Sequence, residues 1–170
     1  VMVHLILHLT GRLGYSLTTA GLVISLLTGM QIIGQICAGF LGDRFDKRLI
    51  VCGCMGFHAA GMFLLAYAQN LWMIVGFTVL HGIAWGTRGP LMQAIRADYF
   101  GASKIGSIMG WSSLVVMMGM ALGPLYAGYM ADRTGSYVSA FATLALCALF
   151  GGIFFLLAKK PPPRSREGEG

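Results

Sequence analysis

Four long stretches of this chain contain no Asp, Glu, Lys or Arg. They are Leu13–Gly42, Leu49–Thr87, Ile105–Ala131 and Thr134–Ala158, spanning 30, 39, 27 and 25 residues. A helix needs about 20 mostly apolar residues to cross the hydrocarbon core of a bilayer. Composition agrees: apolar residues make up 56% of the 170 and charged residues 11%, and mean hydropathy is +0.74. A soluble domain carries roughly 25% charged residues to cover its surface. The chain is expected to be an all-α integral membrane protein.

Five complete transmembrane helices are predicted, over about 19–41, 49–68, 71–95, 105–130 and 137–158. Gln69-Asn70 makes a very short turn between the second and third. Residues 1–18 are expected to be the end of a sixth, truncated helix and an outer loop: Val1–Leu9 is apolar but too short to span, and Gly11, Arg12 and Gly14 suit a loop. The chain opens on Val rather than Met, which points to a fragment. Residues 159–170 form a basic, proline-rich tail, in which Pro161-Pro162-Pro163 cannot continue a helix.

Orientation follows from counting basic residues at the span ends. Arg44, Lys47, Arg48, Arg96, Lys104, Lys159, Lys160, Arg164 and Arg166 fall on one side; Arg12 and Arg133 fall on the other. The positive-inside rule puts the richer side, and with it the C-terminus, in the cytoplasm. A multi-pass protein of the cell inner (plasma) membrane is expected.

The net charge of +6 does not mean nucleic acid, because the basic residues sit in short groups between hydrophobic segments. Cys37, Cys52, Cys54 and Cys147 lie in apolar runs without CxxC spacing. The sequence contains no phosphate-binding loop, zinc set or Ser-His-Asp arrangement. No enzyme activity, cofactor or metal is implied.

Polar groups inside apolar spans mark candidate sites. Arg88 lies within the third span, beside Pro90 and near Trp85 and His81. Gln31 and Gln35 are one turn apart on the first span and share a face. With His81, Trp85 and Arg88 they form a candidate substrate path, though helix-to-helix hydrogen bonding or snorkelling would also account for such residues. Small residues let helices approach closely in lipid. On the fourth span Gly106, Gly110, Gly119, Gly123, Pro124 and Gly128 are candidates for packing and bending.

Between the first two spans, Gly39-Phe40-Leu41-Gly42-Asp43-Arg44-Phe45-Asp46-Lys47-Arg48 resembles the signature loop of the major facilitator superfamily, G-x-L-x-D-R-x-G-R-[KR]. It matches at Gly39, Leu41, Asp43, Arg44, Lys47 and Arg48 and departs at Asp46, where the pattern has glycine. Gly119 through Gly128 with Asp132-Arg133-Thr134-Gly135 is similar to the penultimate helix and its loop in organic-anion permeases of that superfamily. The opening residues, Val3-His4 through Ser16 and Ala20, are similar to the outer loop of monocarboxylate-type porters.

The resemblance implies a six-helix half-bundle, the C-terminal half of a secondary transporter working by alternating access. The loop residues would gate the cytoplasmic side, with Asp43 near the start of the fourth span at 103–107. The implied partners are a small-molecule substrate (an organic anion such as a monocarboxylate) with a coupling proton or counter-anion, membrane lipids, and the missing other half, but no nucleic acid. Two alternatives stay open from sequence: a small membrane scaffold or subunit that does not transport, and the N-terminal half of a similar transporter.

Overall fold

A few polar residues set the helix boundaries of this otherwise apolar chain. The computed structural model describes residues 2–101 and 105–158. Helix α1 (Met2–Leu7) runs on into a π-helical turn (His8–Arg12). Then follow α2 (Leu17–Arg44), α3 (Lys47–Ala66), α4 (Leu71–Phe100), α5 (Ile105–Thr134) and α6 (Val138–Leu157). The fold is an all-α bundle of six helices, with no strand among the described residues.

Three helices start on a side-chain cap. Ser16 Oγ accepts the Thr19 N–H at 3.1 Å to open α2. Asp46 accepts the Arg48 N–H at 2.9 Å to open α3, and Asn70 accepts the Met73 N–H at 3.0 Å to open α4. Such a cap satisfies a backbone donor that the helix leaves unpaired, and is worth about 1 kcal/mol. Asp46 stands where the superfamily loop carries glycine, so the departure from the pattern supplies the cap of α3.

Helix α4 packs between α2 and α3, and α3 packs in turn on α6. The main core joins Leu5, Leu9, Leu27, Met62, Leu65, Ile74, Phe77 and Phe141. A smaller core of Ala38, Val51, Leu91 and Ile95 lies towards the other end. The α2–α4 seam is backbone against backbone. A Cβ placed on Gly82 would lie 2.6 Å from Met30 Cβ, and one on Gly86 would collide with the Gln31 carbonyl oxygen. Across the same seam Thr87 Oγ1 donates to the Gly34 carbonyl at 3.0 Å. Only glycine permits this approach.

The expected five complete transmembrane helices plus the end of a sixth do not hold. Four helices are long and apolar enough to cross a membrane: α2, α3, α5 and α6. Helix α4, over the predicted third span, fails on composition rather than length. Its 30 residues rise about 45 Å, but they include His81, Thr87, Arg88, Gln93, Arg96 and Asp98. Ten of them, including Thr78, His81 and Thr87, are buried against neighbouring helices. A helix wrapped in protein need not be apolar throughout. At the other end of the chain, the helical segment Met2–Arg12 rises only about 16 Å, too little to cross.

Candidate functional site

Helical spacing brings His81, Trp85 and Arg88 to one face of α4, at positions i, i+4 and i+7. That face meets Gln31 of α2, His58 of α3, Val116, Gly119, Met120, Gly123 and Pro124 of α5, and Leu144 of α6 around a cavity of about 470 Å³. This is within the size range of small-molecule sites. Its polar wall is made of flat rings. His58 stacks on His81 with centroids 4.0 Å apart and planes at 27°. The planes of His81 and Trp85 are within 6° of each other, with centroids 6.3 Å apart. Phe77 backs His81 at 4.9 Å.

The Arg88 guanidinium carbon lies 4.8 Å from the centroid of the Trp85 ring, a cation–π contact. Arg88 is half-buried. The ion pairs among the described residues are Lys47–Asp98 and Arg48–Asp46, and Arg88 belongs to neither. It also borders a second cavity of about 240 Å³, shared with Gln93, Arg96 and Ser113. A half-buried cation with its charge uncompensated by a carboxylate favours an anion beside it. Among the described residues no three of His, Cys, Asp and Glu come together as a metal site would need.

The structure thus brings Gln31, His81, Trp85 and Arg88 into one cavity wall. Gln35, one turn along α2, is exposed and outside that wall. His58 lines the cavity although it is outside the predicted substrate path. A signal for it exists: His58 and His81 are the same number of residues from the Gln69-Asn70 turn, so an antiparallel hairpin sets them level. On α5, Gly119, Gly123 and Pro124 line the cavity, Gly106 and Gly110 are exposed and Gly128 is half-buried. A Cβ on Gly106, Gly110, Gly119 or Gly123 would meet nothing within 4 Å.

At the α2–α3 loop, Lys47 Nζ donates to Asp98 Oδ2 at 2.8 Å, tying the start of α3 to the end of α4. Arg48 pairs with Asp46 through Nη2 at 2.6 Å and donates through Nη1 to the Ala158 carbonyl at 3.0 Å. The Tyr99 hydroxyl donates to that same carbonyl at 3.1 Å. The hydrogen bonds from Arg48 hold the Asp46 carboxyl below the usual carboxylate range. Arg44 lies over the Phe40 ring at 4.1 Å. Gly39, Asp43 and Arg44 are exposed and Leu41 half-buried. Part of the partner expected for Asp43, residues 103 and 104, lies outside the described residues. Asp98, Tyr99 and the Ala158 carbonyl were not legible in the loop's own sequence, since each comes from a distant part of the chain.

The sequence pattern of the Major Facilitator Superfamily matches residues 1–170. A triacylglyceride transporter of Mycobacteroides abscessus is 29% identical over 83% of this chain and 28% of its own length. Monocarboxylate transporter 12 of Xenopus laevis is 30% identical over 86% of this chain and 33% of its own length. The class B tetracycline resistance protein of Escherichia coli is 26% identical over 81% and 33%. The chain therefore spans about a third of the length of these relatives. Their names are those of transporters and a drug-resistance protein, and none is an enzyme's. With the superfamily pattern matched from end to end and four helices able to cross a bilayer, this chain is a multi-pass membrane protein that belongs to the Major Facilitator Superfamily.

Proposed function

We propose that the chain is the C-terminal half of a secondary active transporter that carries a small organic anion, such as a monocarboxylate, by alternating access. The observation that carries this reading is Arg88: a half-buried cation in the wall of the main cavity, outside the two ion pairs found among the described residues. Burying such a charge costs several kcal/mol unless a counter-charge arrives, and a substrate anion supplies one. The relatives' names differ in cargo (a triacylglyceride, a monocarboxylate, tetracycline), and the charge of the cavity favours the anion.

In this reading Gln31 and His81 share the substrate path with Arg88 and Trp85, and Gln35 extends it along α2. A proton or a counter-anion is the coupling species. The loop of Gly39, Leu41, Asp43, Arg44, Lys47 and Arg48 gates the cytoplasmic side, with Lys47 holding the end of α4 through Asp98. Gly106, Gly110, Gly119, Gly123, Pro124 and Gly128 let α5 bend and slide as the halves rock. The protein sits in the inner or plasma membrane with its C-terminus in the cytoplasm, in contact with lipid and paired with the other half of the transporter.

The test is uptake of radiolabelled carboxylates by the full-length protein in proteoliposomes. Arg88→Gln is expected to reduce uptake at least tenfold, with Arg88→Lys retaining part of it. Equal uptake by the Arg88→Gln protein and the unaltered protein would overturn the reading.

A further inference from the structure

We propose that the anion taken by the main cavity is aromatic, a flat ring bearing a carboxylate. This rests on the organic-anion reading above and narrows it. The polar wall of the cavity is built from rings in near register: His81 and Trp85 are within 6° of parallel, and His58 is inclined by 27° and 26° to the two of them. Aligned π faces favour a flat partner that can lie offset on them. Arg88, the cation of this wall, sits over Trp85. A carboxylate attached to a ring lying against Trp85 therefore comes within reach of the guanidinium, which binds carboxylates through two parallel N–H···O bonds. The half-buried Gln31 adds an amide to the same wall.

A further observation points the same way. Trp85 keeps 39% of its surface exposed, although the Gly86 beside it is buried, so part of this aromatic residue is left for a ligand to cover. A two- or three-carbon acid could reach Arg88 but would leave the rings uncovered in a cavity of about 470 Å³.

The experiment is calorimetric binding to the full-length protein in lipid nanodiscs, measured against empty nanodiscs, with benzoate, acetate and benzyl alcohol as probes. Benzoate is expected to bind about tenfold tighter than acetate. Trp85→Leu is expected to bring the two acids within about twofold, and Trp85→Phe to keep the preference, a check that stands even if leucine is not tolerated. Arg88→Gln is expected to weaken benzoate at least tenfold. Benzoate and acetate binding equally to the unaltered protein, or a preference untouched by Trp85→Leu, would overturn the aromatic proposal while leaving the anion reading intact. Benzyl alcohol binding as tightly as benzoate, or neither acid binding, would overturn the anion reading itself.

Discussion

Helices α4 and α5 have the same length, 30 residues, and each has one internal proline and several glycines, yet they hold opposite places in the bundle. Helix α4 carries arginines, a histidine and an aspartate and is buried between α2 and α3. Helix α5 is more apolar, qualifies as a membrane crossing, and buries one residue, Ala127. Its Trp111, Val115, Met117 and Leu125 are largely exposed. The apolar helix lies outermost because lipid solvates apolar side chains, whereas polar ones must find partners in protein. The glycines follow the same division. Gly82 and Gly86 of α4 are where α2 comes closest, and those of α5 at 106, 110, 119 and 123 face open space.

The sharpest test of this contrast pairs Gly86→Val with Gly119→Ala. The first would drive a side chain into the Gln31 backbone, where neither side can yield cheaply. A loss of about 3 kcal/mol or more is expected, measured by thermal unfolding in detergent. The second replaces glycine within a helix where nothing is near, so stability should stay level or rise by up to about 1 kcal/mol. If the two variants unfolded alike, the division between the helices would have no energetic content.

Next in size is the cap of α3. Asp46→Ala should cost about 1 kcal/mol, whereas Asp46→Asn keeps the acceptor oxygen and should cost less. The folded-state carboxyl titrates below its unfolded value, so its contribution is complete above the unfolded pKa. It is lost as pH falls through the lowered one. Unfolding midpoints of unaltered and Asp46→Asn protein should therefore converge in acid below about pH 4 and separate at neutral pH. Convergence in the opposite direction would discount the Arg48 pairing.

Smaller still is the Lys47–Asp98 tie, whose side chains are 30% and 44% exposed. Exchanging the two residues (Lys47→Asp with Asp98→Lys) should restore whatever either single change removes, within about 1 kcal/mol. The smallest effect is expected for Met117→Ala on α5, within about 0.5 kcal/mol. A larger loss there would mean that another surface covers this face of α5 in the working protein.

Charge spacing made much of the architecture readable, because ionisable groups cannot be left in hydrocarbon without a partner. The run from Leu13 to Gly42 lies largely in α2, and that from Ile105 to Ala131 in α5. The same rule fails at α4: the charge-free run from Leu49 to Thr87 leads to a predicted third span over 71–95, and the helix there is too polar to qualify as a crossing. Hydropathy along a sequence assumes a lipid neighbour, and much of α4's neighbourhood is protein. At the cavity, Gln31, His81, Trp85 and Arg88 stood out as polar or aromatic residues in apolar surroundings. That His58 joins the same wall was not legible, because its stacking on His81 depends on how α3 and α4 fold back on one another.

What the sequence determined by itself is local: helical class, the short Gln69-Asn70 turn, the superfamily loop, and the presence of a lone arginine amid apolar residues. These depend on neighbours a turn or less away, or on the cost of putting charge into hydrocarbon. What only the tertiary structure decided is which residues meet: Lys47 with Asp98, Arg48 and Tyr99 on the Ala158 carbonyl, Gly86 against Gln31, and His58 with His81. Those contacts join different helices, and periodicity along one helix says nothing about the rotation and depth of the next. Packing sets both, through the few places where glycine lets two backbones touch.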